Sequence, residues 1–440
     1  MVKWIETTLG EEFEIVMGQS PSSEFYNTNG EGLPFFQGKK EFSEKYPTIE
    51  KWTTEATKKA DKGDILLSVR APIGAVNISP AKCGIGRGLA AIKPNSKTRN
   101  SFIFYLLQSL ESELKKRGAG VTFTAITKPN LLGVPIQIPV EKNDRNKIVD
   151  EIETQFTRLD SAIQSLKTIK NKLELYRSSI SSEAFQGKLS KKWRDLNKKA
   201  LHPKDSLLNA IECSNKMKIG KDKPNNLPPS RLDELDSLPN NWFWTEAHKI
   251  CSSVRDGTHD TPKYVDNGIP LVTSKNLSRN GLDFSKIQYI SNEDHSEIKK
   301  RSGVEKDDIL FGMIGTIGNP TIIDSDTEFS IKNVGLFKKN TELLNSKYLK
   351  YWLASGLCVH KLKKLKLIKG TTQQFIPLGH LRILPIPYCD IKEQNIIVNE
   401  IESRFSVIDK VEEVVDNALI KAERLRKSIL KSAFEGKLVK

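Results

Sequence analysis

Apolar residues between Ile148 and Ala184 recur at every third or fourth position: Ile148, Ile152, Phe156, Leu159, Ile163, Leu166, Ile169, Leu173, Tyr176, Ile180 and Ala184. That spacing lays one stripe along a helix. The stripe returns as Ile397, Ile401, Phe405, Ile408, Val415, Ala418, Ala422, Leu425, Ile429 and Ala433, broken at Glu412, which stands between Val411 and Val414. The residues around it repeat as well. RSSISSEAFQGKL (177–189) returns as RKSILKSAFEGKL (426–438), so Arg177 falls on Arg426 at a shift of 249. The pattern predicts a helix over about 145–186, roughly 60 Å long at 1.5 Å per residue, and a second copy near the C-terminal end. A helix of that length with a heptad-like seam is stable only against another helix, and its own copy is the nearest candidate. An antiparallel pair is expected. Asp390 and Glu393, three apart at the start of the second stripe, have the spacing of a capping box, and Gly187 and Gly436 suit the helix ends.

Upstream of each stripe the copies match less closely. KGDILLSVRAPIG (62–74) resembles KDDILFGMIGTIG (306–318) at a shift of 244, and GLPFFQGK (32–39) resembles GIPLVTSK (268–275) at 236. Changing shifts mean insertions and deletions in loops between comparable elements. The runs 64–69, 89–92, 308–313 and 334–337 read as strands between Gly and Pro turns, and 102–116 and 346–366 as helices. Proline-rich exits, VPIQIPV (134–140) and ILPIPYC (383–389), are expected to be extended. The fold class that follows is α+β: two mixed α/β domains joined by two long helices paired as an antiparallel coiled coil, a pseudo-twofold internal repeat. The expected divisions are a first globular domain (1–140), a central helix (141–190), a linker (191–240), a second globular domain (241–388) and a C-terminal helix (389–440). The linker contains Pro203, Pro224, Pro228, Pro229 and Pro239 and a helical stretch at 205–217. It reads as structured, with a disordered tether as the alternative.

Charge sharpens this picture. The 440 residues carry 69 Lys+Arg against 54 Asp+Glu, a formal net charge of +15. By segment the excess is +4 over 1–140, +1 over 141–190, +4 over 191–240, +6 over 241–388 and 0 over 389–440. The globular domains and linker suit a polyanion, whereas the neutral helices suit protein contacts. Five cysteines without CxxC spacing, Cys83, Cys213, Cys251, Cys358 and Cys389, read as reduced thiols. The opening segment has acids where a signal peptide needs an apolar core, and no stretch approaches the roughly 18 apolar residues of a membrane span. A soluble, cytoplasmic protein is expected.

Catalytic motifs are missing from the sequence. A DNA adenine methyltransferase needs an Asn/Asp-Pro-Pro-aromatic loop, and Ile386-Pro387-Tyr388 lacks the amide. GIGRG (84–88) reads as a turn. There is no GxxxxGK[ST] loop, and His202, His248, His259, His295, His360 and His380 show no metal-ligand spacing. Asp283, Glu297 and Lys299 make a nuclease-like set only by chance composition. Base readers in DNA recognition are Arg, Lys, Asn and Gln on strand ends and loops. In the first domain Gln37, Lys39, Lys40, Arg70, Arg87 and Lys128 qualify. In the second the matched loops offer Thr273, Ser274, Lys275, Asn276, Arg279, Thr316, Lys332 and Asn333, and GTTQQF (370–375) offers Gln373 and Gln374. The cluster HKLKKLKLIKG (360–370), with Lys363, Lys364 and Lys366 among five lysines, suits phosphate. For each of these residues the alternative is a solvated surface group.

The two-copy pattern resembles the specificity subunit of type I restriction-modification enzymes over the whole chain. The resemblance rests on two domains each followed by a long helix, on AFQGKLSKKWR (184–194) and AFEGKL (433–438), and on LPIPYCDIKEQNIIVNEIE (384–402) and IQIPVEKNDRNKIVDEIE (136–153). The first copy departs with Asp144-Arg145 where the second has Glu393-Gln394. The resemblance implies a non-catalytic subunit in which each domain reads one half of a bipartite, asymmetric double-stranded DNA target. It also implies that the helices set the gap and dock two modification subunits that methylate adenine. S-adenosylmethionine would bind those partners, and ATP and magnesium the restriction (motor-nuclease) subunits; this chain would bind no cofactor, no metal and no membrane. The competing readings are a stand-alone nuclease or methyltransferase, for which no cofactor loop is present, and an architectural DNA-binding protein, which leaves the duplicated neutral helices without a role.

Overall fold

The computed structural model describes residues 2–118, 125–216, 235–278, 281–324 and 326–439. They form two compact units, Met1–Ile169 with Val414–Lys440, and Lys170–Glu413. Arg279, Met217 and the linker prolines Pro224, Pro228 and Pro229 lie outside the described residues.

In the first unit the strands Glu14–Met17, Leu89–Lys93, Ile65–Ser68 and Val76–Ile78 form an antiparallel sheet in that order. Its strands are apolar at consecutive positions because both faces are covered. Ile65, Leu67, Ala90 and Ile92 pack with Phe102, Ile103 and Leu106 of the helix Asn100–Ser109, while Leu66, Leu89 and Ala91 pack with Phe36, Cys83 and Ile85. A second, mixed sheet pairs Leu33–Phe36 in parallel with Cys83–Ile85. The proline-rich exit Pro135–Pro139 is extended and pairs with Trp4–Thr8, a two-stranded ribbon that leaves the proline nitrogens free of ladder bonds.

The second unit has the same α+β plan. Val254–Asp256, Val334–Phe337, Ile309–Gly312 and Gly318–Ile322 form its antiparallel sheet, Ile269–Val272 runs parallel to Ser330–Ile331 in a mixed sheet, and Pro385–Tyr388 pairs with Phe243–Glu246. Both helices expected as single pieces are broken. The first is Asn100–Ser109 and Glu111–Lys116, the second Ser346–Ala354 and Gly356–Lys364. Ser355 makes the second break: its hydroxyl donates to Trp352 O and accepts from Cys358 N, closing one helix and capping the next. The helix Asn292–Ser302, capped by Ser291, had no sequence signal because Ile298 is its one large apolar residue.

The long helices are Lys142–Phe185 and Ile391–Phe434, 44 residues each. Both end at a left-handed glycine. Gly187 (φ 69°) lets Lys188 N reach Glu183 O at 2.9 Å, and Gly436 (φ 70°) lets Lys437 N reach Ser432 O at 2.9 Å. The start of the second helix is only half the expected capping box. Asp390 accepts from Lys392 N at 2.9 Å, but Glu393 turns away to accept from Ser190 Oγ and Arg194 Nη1, both at 2.6 Å, and from Trp242 Nε1 at 3.0 Å. A guanidinium, a hydroxyl and an indole N–H together offer that buried carboxylate more than the helix terminus does. Of the linker, Lys191–Leu196 and Lys204–Lys216 are helical, and Leu207 and Ile211 join the core of the second unit.

Along the stripe, Ile148, Ile152, Phe156 and Leu159 are buried with Ile429 and Ala433 in the first unit, and Ile180, Ile397, Ile401 and Ile408 in the second. Val415 is buried, Phe405 partly so, and Ile163, Leu166 and Leu173 are half-buried. Leu425 departs from the seam, being 51% exposed, as is its repeat mate Tyr176 at 52%. The next residue takes each place. The Arg426 guanidinium lies 4.4 Å from the centre of the Phe156 ring and bonds Asp160; that of Arg177 lies 4.6 Å from Phe405 and bonds Asp409 at 2.6 Å and Glu412 at 3.1 Å. A planar, weakly hydrated guanidinium is well suited to cover a ring face.

Arg177 is the more buried of the two and has two carboxylates, so the copies should differ in their sensitivity. Arg177→Met is expected to cost roughly 2–4 kcal/mol and Arg426→Met about 1 kcal/mol, read from urea unfolding of the full chain. Equal costs would contradict this account.

Candidate nucleic-acid interface

Four chain segments meet at one end of the antiparallel sheet in the first unit, joined through backbone groups. Gly18 N donates to Leu89 O at 2.9 Å, Gln19 N to Ile85 O at 3.0 Å, Gly86 N to Phe36 O at 2.8 Å and Val69 N to Gly88 O at 2.9 Å. Glycine is required where the segments touch. A Cβ on Gly18 would sit 2.2 Å from Gly86 O, and one on Gly88 would sit 2.2 Å from Gln37 O. Only the second half of GIGRG is therefore a turn, since Cys83–Ile85 is a buried strand. On this platform Arg70 and Arg87 are exposed, with Lys39 and Lys40 on the turn after Phe36, and Lys128 is exposed on the short helix Lys128–Leu132. Gln37 is half-buried, with Nε2 3.5 Å from Tyr26 OH.

The second unit repeats the junction. Gly257 N donates to Val334 O at 3.0 Å and Thr258 N to Ile331 O at 3.0 Å, so Gly257, Thr258 and His259 occupy the places of Gly18, Gln19 and Ser20. Asn333 N reaches Thr258 O at 3.1 Å and Lys332 N reaches Val272 O at 2.9 Å. Two further loops join them. Ser274 Oγ donates to Ile314 O at 3.4 Å, and Gly315 N donates to Gln374 O at 3.0 Å. Lys275, Thr316, Gln373 and Gln374 are exposed at this convergence, and Lys363, Lys364 and Lys366 are exposed beyond it.

Two sequence expectations need correction. Asn276 is buried at 8% exposure: its Oδ1 accepts from Thr273 N and Thr273 Oγ1, both at 2.9 Å, and its Nδ2 donates to Asp283 O at 3.0 Å. It shapes the loop and has no free edge for a base, and it also occupies the Thr273 hydroxyl. Of the five clustered lysines, Lys361 is buried and paired with Asp236 at 2.6 Å, holding that carboxyl below its usual range. It ties 236 to the helix Gly356–Lys364 and does not face solvent. Asp283, Glu297 and Lys299 have separate partners, Ser285, Lys300 and Glu328. No cluster of three His, Cys, Asp or Glu suited to a metal ion occurs among the described residues, and none of their helices is long and apolar enough to cross a membrane.

Sequence reading missed Ser20, Tyr26, Thr258, His259 and Thr261. Arg87 N donates to Ser20 Oγ at 3.2 Å, His259 Nδ1 lies 2.9 Å from Asn333 Oδ1, and Lys332 Nζ bonds Thr261 Oγ1. The available signal was the glycine at matching places in the two copies, VMGQS (16–20) and RDGTH (255–259).

The family profile described as type I restriction modification DNA specificity domain matches residues 1–175 and 254–414, well over half of the chain. The chain belongs to that family. Among curated members, a Methanocaldococcus jannaschii protein named as a type I restriction enzyme MjaX specificity subunit is 40% identical over 189 residues, 42% of this chain and 43% of that protein. The Escherichia coli type I restriction enzyme EcoBI specificity subunit is 24% identical over 346 residues, 78% of this chain and 66% of that one. The chain thus spans under half of the first relative's length and just under two thirds of the second's. The crystal structure of the HsdS subunit from Thermoanaerobacter tengcongensis matches at 42% identity over 36% of this chain and 39% of that chain, with a TM-score of 0.33.

For this specificity-domain protein the glycine junction gives a local test. Gly88→Ala is expected to push the turn at Gln37 and cost about 1–3 kcal/mol, with faster hydrogen exchange over 37–40. Gly38→Ala, whose Cβ meets open space, is expected to leave exchange unchanged. Similar behaviour of the two variants would contradict the close approach.

Proposed function

We propose that this chain is the DNA sequence-specificity subunit of a type I restriction-modification complex. Its two globular domains (1–140 and 241–388) each read one half of a bipartite, asymmetric double-stranded target. The helical segments 141–190 and 389–440 pair as an antiparallel coiled coil about a pseudo-twofold axis, fix the spacer and dock two modification subunits, and 191–240 links the halves. The chain itself is not an enzyme. Methyl transfer and DNA cleavage belong to modification and restriction subunits, which bind S-adenosylmethionine, ATP and magnesium, and the assembly works in the cytoplasm.

The observation that carries this reading is one junction built twice with different side chains on it. Arg70, Arg87, Gln37, Lys39 and Lys40 stand on the first, and Lys332, Asn333, Lys275, Thr316 and Gln374 on the second. Equal scaffolds with unequal polar groups suit two different base sequences. The paired helices are supported by the arginine contacts. A shift of 249 carries Arg177 onto Arg426, Asp160 onto Asp409 and Phe156 onto Phe405, so the contact Arg177 with Asp409 and Phe405 becomes Arg426 with Asp160 and Phe156, roles exchanged. A twofold relation between antiparallel helices requires that exchange. The relatives' names as specificity subunits agree with it.

Mapping methylated adenines genome-wide in cells with and without this chain tests the reading; a two-part motif should appear only when it is present. Inserting four residues into each long helix, about 6 Å of added rise, should lengthen the spacer by one or two base pairs with both half-sites unchanged. Identical methylation with and without the chain would overturn the function, and an unchanged spacer would overturn the ruler.

A further inference from the structure

In the second unit a relay of four side chains runs from a helix to a loop tip. Arg301, in the last turn of Asn292–Ser302, donates from Nη2 to Asp256 Oδ1. Asp256 is 2% exposed, and its other oxygen lies 3.0 Å from His259 Nε2. His259 Nδ1 in turn lies 2.9 Å from the position of Asn333 Oδ1, which a half-turn of the amide exchanges with Nδ2. Asn333 occupies the left-handed region (φ 53°), and its N–H is bonded to Thr258 O at 3.1 Å, so its backbone is fixed independently of the side chain.

The order of donors follows from the first member. An ionised carboxylate only accepts, so Asp256 places a proton on His259 Nε2. In the tautomer whose one ring proton is on Nε2, Nδ1 offers a lone pair, and the amide group that satisfies it is NH₂. The oxygen and nitrogen of an amide exchange by a half-turn and are assigned from their partners. One N–H of Asn333 then goes to His259, which leaves Oδ1 and the second N–H side by side. An acceptor beside a donor is the complement of the N6–H and N7 edge that adenine shows in the major groove.

We propose that Asn333 reads an adenine in the half-site recognised by the second domain, and that His259, oriented by Asp256 and Arg301, is the positioning residue that sets the direction of its amide. This rests on the DNA-specificity reading above. Lys332, the residue before it, bonds Thr261.

The test presents randomised duplex DNA to the full chain in complex with its modification subunits and sequences the bound fraction. Asn333→Gly removes the amide while accepting the same φ. It should reduce discrimination for adenine at one position of one half-site by roughly 5- to 150-fold, leaving the other half-site intact. Asn333→Asp should shift that position toward cytosine, whose N4 amine donates. His259→Leu should weaken the same position, and His259→Gln, which keeps a donor and an acceptor, should restore part of it. Thermal melts of each variant guard against loss of fold. An unchanged motif in Asn333→Gly, or a uniform loss over all sequences in a folded His259→Leu, would overturn the proposal and leave the specificity function standing. A wild-type complex that selects no two-part motif would remove that function and this proposal together.

Discussion

In each unit a guanidinium lies over a phenylalanine ring of the facing helix, and that contact is where the long helices and the globular domain are joined directionally. The phenylalanine is shared. The rim of Phe156 meets Tyr105 edge-on at 5.6 Å, and that of Phe405 meets Tyr351 at 5.8 Å. The tyrosines belong to the domain helices Asn100–Ser109 and Ser346–Ala354, and their hydroxyls reach Glu153 at 3.5 Å and Glu402 at 3.4 Å on the long helices. Burial pushes both phenols up to about 12, so they remain donors at any physiological pH. A cation, a ring, a second ring and a carboxylate thus connect three helices in sequence, and each member is directional where plain apolar contact would not be.

The copies treat the remaining polar positions differently. Where the first helix has Ile163, the second has Glu412, and Arg177 gains a second carboxylate that Arg426 lacks. At the helix starts Arg145 is buried and bonds Pro139 O at 2.8 Å and Glu12 at 2.6 Å, whereas its repeat mate Gln394 bonds Leu343 O, Cys389 O and Asn345 N. Both solutions connect the proline-rich strand to the helix that follows it. One does so with a charge pair, the other with a neutral amide that needs no counter-ion.

Much of this was legible in the sequence, because the strongest signals there are periodicity and self-similarity. Helix positions and ends, four of the strands and the extended proline exits follow from apolar spacing and from glycine and proline placement. Most of the failures concern polar residues whose partners have no signature in the apolar pattern. Asn276 and Lys361 look like surface groups and Glu393 like a helix cap, yet they are claimed by Thr273 and Asp283, by Asp236, and by Arg194 and Ser190 respectively. Leu425 is apolar and in phase, yet it loses its place to an arginine whose advantage appears only once Phe156 is opposite it. The helix Asn292–Ser302 rests on a serine cap and on His295 bonding Ser330 and Glu328, none of which leaves an apolar period to read.

The junction that presents the candidate reading residues is closed almost wholly by main-chain amides and by glycines that leave no room for a side chain. Such a weld asks nothing of the identity of its neighbours. Gln19, Ser20 and Arg87 can become Thr258, His259 and Asn333 while the amides of Gly18, Gln19 and Gly86 keep their matched carbonyls at Gly257, Thr258 and Lys332, so the vocabulary of the interface is separable from its grammar. The two halves of this chain are one such rewriting, carried out on a frame that keeps three of its main-chain bonds.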